Sequence, residues 1–176
     1  PELEITNCTS LNIANTNYDT RIKEFRLDFS SAADYITEDL NLSLRFSYSE
    51  KNERHQPNSS DAFNNIILTE RESLEQQKNN TSQLANFSIL SRVNISNGDR
   101  LTFSLFHRKL RYDTPSDLNF DDRDELLSIG RIMFEKEFNP FFKIFLNIEG
   151  SLNKIVYIFA KRSSNNNLRR ILKFSS

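Results

Sequence analysis

Asn41-Leu42-Ser43-Leu44-Arg45-Phe46-Ser47-Tyr48-Ser49 alternates without a break. Its even positions are Leu, Leu, Phe and Tyr; its odd positions are Asn, Ser, Arg, Ser and Ser. Successive side chains of a strand point to opposite faces, so the stretch predicts a strand with one apolar and one polar face. A helix would mix the two kinds on every side. The same test succeeds on either side of it. Phe25, Leu27 and Phe29 oppose Glu24, Arg26 and Asp28. Ala85, Phe87, Ile89, Val93 and Ile95 oppose Asn86, Ser88, Arg92 and Asn94. Leu101, Phe103 and Leu105 oppose Thr102 and Ser104. Phe142, Ile144, Leu146 and Ile148 oppose Lys143, Asn147 and Glu149, with Phe145 the exception.

The pattern predicts strands over 20–30, 40–50, 81–96, 100–112, 124–138, 141–162 and 167–175. A weaker one covers about 3–13, where Leu3, Ile5, Leu11 and Ile13 share a parity. Ser96-Asn97-Gly98-Asp99 is a hairpin signal, since Asn-Gly suits positive φ. Asn139-Pro140 interrupts a ladder because proline has no N–H to donate. A third turn is expected between Ser30 and Asp39. The other connections are long and polar, at roughly 50–80, 113–123 and 163–167. Short and long connections therefore alternate, which puts short turns at one end of a sheet and long loops at the other. Thr69–Gln83, rich in Glu, Gln and Lys, could form a short helix within the long loop, but the loop or strand reading ranks above it. Asp121–Ile129 could also turn helical, but the strand reading ranks above it. The fold class expected is all-β: an antiparallel meander of about eight strands, 1–176, forming a transmembrane β-barrel or part of one.

Composition narrows the function. The 176 residues carry 23 Lys+Arg against 24 Asp+Glu, a net charge of −1, which lacks the basic excess that phosphate neutralisation requires. No nucleic-acid partner is expected. No apolar run approaches the ~18 residues of a membrane-spanning helix. Cys8, the single cysteine, cannot close an internal disulfide. Ile5-Thr6-Asn7 ahead of it lacks the small residue of a lipid-attachment site, so it reads as a plain unpaired thiol. The chain opens on Pro1 rather than methionine, and is expected to be processed or part of something longer.

Parity alone fits two architectures. A soluble barrel turns its apolar face inward; an outer-membrane barrel turns it to lipid and lines its lumen with the polar face. Strands of ten residues or more match the ~9–11 that cross a bilayer at a tilt. The asymmetry of turns and loops is that of periplasmic and extracellular connections. Phe138, Phe141 and Phe142 at one turn, and Tyr112 and Tyr157 toward the loops, sit where interfacial aromatic girdles sit.

On these residues the chain resembles bacterial outer-membrane β-barrel proteins. The stretches carrying the resemblance are Asp39–Tyr48 and Phe138–Leu146, which follow the turn-then-strand pattern of the periplasmic end, and Arg162–Leu172, which looks like an outer hairpin tip. The resemblance spans roughly 20–176. It implies residence in the outer membrane, contact with its lipid, and antiparallel strands closed into a ring. The pattern departs at the end, where Phe174 is followed by Ser175-Ser176 instead of closing the chain on an aromatic, and in its scarce glycine and absent tryptophan. The chain is therefore expected to be an internal piece of a wider barrel, completed by further strands of its parent chain or of a neighbouring chain.

That reading sorts the residues. Leu42, Leu44, Phe46, Phe87, Ile89, Ile144 and Leu146 are expected to face lipid. Glu24, Arg26, Asp28, Arg45, Arg92, Arg131, Glu135, Glu137, Lys143, Glu149 and Lys173 are expected to line the lumen, interlocked in a narrow barrel or bordering a channel in a wide one. Asp121, Asp122, Asp124 and Glu125 offer oxygens that suit Ca²⁺, but lack EF-hand spacing and its glycine, and read as a solvated loop. His55 and His107 lack any paired ligand motif. No Gly-rich phosphate loop and no G-x-S-x-G elbow occurs. Seven Asn-x-Ser/Thr sequons, from Asn7 to Asn94, follow from 21 Asn and 21 Ser and carry little. No catalytic residue, metal or cofactor is assigned. The function expected is a non-enzymatic porin, transport channel or structural anchor. The alternatives are a soluble eight-stranded, lipocalin-like barrel binding a hydrophobic ligand, and a secreted β-sandwich for adhesion or filament assembly.

Overall fold

Alternation of this kind builds one long-stranded sheet. The computed structural model describes residues 2–17, 20–57, 65–96, 98–116 and 119–176. Its strands are β1 (Glu2–Asn17), β2 (Thr20–Ile36), β3 (Leu40–Pro57), β4 (Asn80–Ser96), β5 (Asp99–Asp113), β6 (Arg123–Asn139), β7 (Phe142–Tyr157) and β8 (Asn167–Ser175). Helix α1 (Asn65–Gln76) and a 3₁₀ helix (Ala160–Asn165) lie in the connections. The eight strands form a single antiparallel sheet in sequence order. Among the described residues β1 pairs only with β2 and β8 only with β7, so the sheet is open and no self-contained eight-stranded barrel closes.

Three turns close one end. Thr37 ends the β2–β3 hairpin, where its N–H donates to the Leu40 carbonyl (2.7 Å) and its hydroxyl accepts from Leu40 N–H (3.0 Å). The β4–β5 turn contains Gly98 at φ +98°, a left-handed value that glycine adopts without strain. Asn97, the other half of the expected hairpin signal, lies outside the described residues. Pro140 and Phe141 join β6 to β7, with the Asn139 side-chain oxygen accepting from Phe141 N–H (2.9 Å). Bulges between Asn94 and Ser96 and between Glu137 and Asn139 adjust the register beside the last two turns.

Several boundaries differ from the sequence expectation. β2 runs on to Ile36, because Ser30–Ala33 keep the backbone ladder although their small side chains carry no apolar period. β3 runs on to Pro57, so the loop expected at 50–80 shrinks to 58–79 and contains α1; residues 58–64 of it lie outside the described set. β7 stops at Tyr157, where the Asn166 side-chain oxygen takes the Tyr157 N–H (2.6 Å) and the chain turns into the 3₁₀ helix. Arg123–Asn139 is strand, flanked by β5 and β7, in keeping with the strand expected over 124–138. β1, expected to be weakest, pairs with β2 from Glu2↔Ile36 to Asn17↔Arg21. Only residues 18 and 19 separate β1 from β2, so one short connection sits at the end that otherwise carries the long ones.

Candidate functional site

Residues directly opposite one another in an antiparallel ladder share a face. The register therefore assigns faces without reference to side-chain chemistry. One face collects Phe25, Leu27 and Phe29 of β2 with Leu42, Leu44, Phe46 and Tyr48 of β3. It continues through Phe87 and Ile89, then Leu101, Phe103 and Leu105, then Ile132 and Phe134, then Ile144, Leu146 and Ile148. All seven residues expected to meet lipid stand on this apolar face. The other face collects all eleven charged residues singled out above: Glu24, Arg26 and Asp28; Arg45; Arg92; Arg131, Glu135 and Glu137; Lys143 and Glu149; and Lys173.

Neither face has an apolar core. No hydrophobic side chain among the described residues is buried. Phe46 is 41% exposed and Leu146 is 55% exposed, both on the apolar face. The charged face is the more enclosed. Its apolar members Leu84, Leu90, Phe106, Leu110, Leu127, Ile129 and Ile155 are all only half-exposed, and its Ser43 and Thr102 are buried. Ile36 and Phe145 are its exposed exceptions. The charged face is thus the better covered of the two among the described residues.

The apolar band also runs obliquely across the hydrogen-bonded rows. At the loop end, Phe25 of β2 is level with Asn52, Thr81 and Asp113 of the next three strands. At the turn end, Ile144 of β7 is level with Lys136 and Asp99 of the two strands before it, themselves paired at 3.3 Å. From β2 to β7 the band therefore slides toward the turn end. Phe138 and Phe142 close the band at the turn, with ring centroids 5.6 Å apart, and Phe141 beside them is 98% exposed.

The charged face is organised into clusters. Glu149 accepts from Arg131 Nε (3.1 Å) and Lys173 Nζ (3.2 Å), joining β6, β7 and β8. Lys143 meets Glu137 (2.6 Å) and Glu135 (4.0 Å), and Arg100 meets Glu135 (3.9 Å). Arg26 pairs with Asp28 (2.9 Å). Toward the loops Lys51 bridges Glu24 (3.5 Å) and Glu53. Glu53 also accepts from Asn80 Nδ2 (2.7 Å). Glu53 lies beyond the apolar band of β3, which ends at Tyr48. Burial there pushes its carboxyl up, but the Lys51 ammonium and the Asn80 amide outweigh this and hold it below the usual carboxylate range. Lys51, Glu53 and Arg100 were not among the expected lumen residues; parity would have included Lys51 and Glu53 had β3 been drawn to its full length, while Arg100, at the start of the expected strand 100–112, has the polar parity and was passed over.

Arg45 and Arg92 are different. Among the described residues neither forms an ion pair, and Arg45 donates only to Ser43 Oγ, at 3.4 Å. Three of the four clustered carboxylates are held by the protein's own donors, whereas a buried Asp124 oxygen has no hydrogen-bond partner among the described residues. Asp122 accepts from Thr114 N–H (2.6 Å) and its hydroxyl (2.5 Å), Asp121 pairs with Arg162 (3.0 Å), and Glu125 pairs with Arg123 (2.8 Å). Phe120 packs edge-on against Phe159 with Lys161 over its ring, tying the β5–β6 loop to the 3₁₀ helix. His107 meets Ser128 (2.8 Å), and no hydrogen bond or ion pair among the described residues joins either to a carboxylate. Among the described residues no helix is long and apolar enough to cross a membrane, which says nothing of strand-built spans. No protein-family model matches the chain, and neither a curated protein nor a solved structure does.

Proposed function

We propose that this chain is the strand-built wall of a bacterial outer-membrane β-barrel, a non-enzymatic pore, transport channel or anchor. The observation that carries the reading is the oblique band of exposed Phe, Leu and Ile on the less enclosed face of a sheet with no buried hydrophobic side chain among the described residues. In water, that much exposed apolar surface calls for a covering. Lipid supplies one, and the tilt of the band suits strands crossing a bilayer. The enclosed face carries ion pairs, as a lumen does. A soluble ligand-binding barrel would place the longer run of aromatics on its enclosed side, which is the opposite arrangement.

The open edges support a larger assembly. β8 covers only Asn147–Ile155 of β7. An unpaired strand edge in lipid leaves backbone groups unsatisfied at several kcal/mol each. Further strands, from the parent chain or a neighbouring one, would complete the ring. The test is partition: the chain purified with detergent should be monodisperse, and should aggregate when detergent is withdrawn. A monodisperse monomer in plain buffer would end the proposal.

A further inference from the structure

Near the middle of the charged face lies an open cavity of about 660 Å³, floored partly by apolar Leu84 and Phe106 and bordered by polar Ser30, Arg45, Ser47, Asn86, Ser88 and Arg108. Its polar lining is rich in hydrogen-bond donors. No Asp or Glu borders it, whereas Lys51, Arg100, Arg131 and Lys143 on the same face each have a carboxylate partner. Register explains the grouping. Arg45 stands opposite Ser88, and Arg108 opposite Asn86, which itself faces Ser47. Asn86 Nδ2 donates to Ser47 Oγ (3.0 Å), which leaves the Ser47 hydroxyl proton to point elsewhere. Among the described residues Arg45 and Arg108 form no ion pair; Asp34, opposite Ser43, forms none with Arg45. Two guanidinium groups without counter-charges, beside serine hydroxyls and an amide in a partly apolar concavity, match the chemistry that recognises carboxylate and phosphate oxygens.

We infer that this cavity is a binding site for a small oxyanion, a carboxylate or phosphate, on the water-filled side of the sheet. The inference rests on the barrel reading, since it requires that face to be wet. Ser88→Cys in a Cys8→Ser background places a thiol at the site. The full chain, folded in detergent micelles, is reacted with a sulfonate-bearing and with a trimethylammonium-bearing methanethiosulfonate, each rate normalised to a free thiol. The sulfonate reagent should be favoured, and the ratio should fall roughly tenfold in Arg45→Gln/Arg108→Gln, the scale on which a charged cleft concentrates counter-ions. Inorganic phosphate should slow the sulfonate reagent in the parent protein, a readout that stands even if the double variant does not fold. Equal normalised rates with no effect of phosphate would overturn the oxyanion site and leave the barrel reading intact. A thiol inert to both reagents would show that the face is not wet and overturn both.

Discussion

Phe46 and Phe87 stand directly opposite one another across the β3–β4 ladder, while Arg45 and Ser88, their immediate neighbours, are opposed on the other face. A one-residue slip would exchange the two faces completely. The register thus ties together the apolar band, the ion-pair clusters and the arginine cavity, and each can be tested by substitution.

Leu44→Arg, Phe87→Arg and Ile144→Arg should each impair folding into lipid vesicles by ~2–4 kcal/mol, the cost of a cation near the bilayer midplane. Ser88→Arg should cost far less. Ser43 looked equivalent from parity, but it is buried and accepts from Arg45, so it is a poor control. Equal losses on both faces, read from urea titrations in vesicles, would contradict the face assignment.

Gly98→Ala should destabilise by about 1 kcal/mol or more. Its φ is +98°, and an added Cβ would lie 2.9 Å from the Glu137 carbonyl oxygen. Gly130→Ala is the matched control: a Cβ there meets nothing within 4 Å, so stability should hold or rise slightly. Unfolding midpoints of the two variants should separate in that order.

Asn80→Ala should cost roughly 1–3 kcal/mol, the worth of a hydrogen bond to a charged group. Asn80 is buried and donates to Glu53 at 2.7 Å. Because the Glu53 carboxyl titrates lower in the folded chain than in the unfolded one, its contribution is present above the ordinary carboxylate range. It is lost as pH falls through the lowered value. Acid titration of folding should therefore show a smaller loss in Glu53→Gln than in the parent.

Glu149→Gln should loosen β8 selectively, because Glu149 is the carboxylate that both Arg131 and Lys173 contact. Hydrogen exchange over 167–175 should quicken more than over 123–139. Uniform quickening would mean the triad holds no particular strand.

Much of this was legible in the sequence, and the reason is period two. Wherever large apolar residues alternate with polar ones, as in 41–49 and 142–149, strand, face and turn follow directly. The signal failed where side chains carried no contrast. Ser30–Ala33 continue β2 with small residues, and Glu50–Pro57 continue β3 with polar ones whose ladder is held by Lys51, Glu24 and Glu53. Arg108 escaped notice because it sits in the run His107-Arg108-Lys109, where parity separates nothing. That Arg45 is unpaired while Arg131 is paired depends on which residues the register brings opposite, and no single strand's sequence carries that.

The central claim is that the face bearing Leu44 and Phe46 meets lipid and the face bearing Arg45 meets water. A nitroxide scan of positions 41–49 in lipid vesicles tests it most directly, comparing collision with oxygen, which concentrates in the bilayer, against a water-soluble nickel complex. Positions 42, 44, 46 and 48 should favour oxygen and 41, 43, 45, 47 and 49 nickel, with a period of two. The opposite phase, or no periodicity in a vesicle-bound chain, would contradict the account.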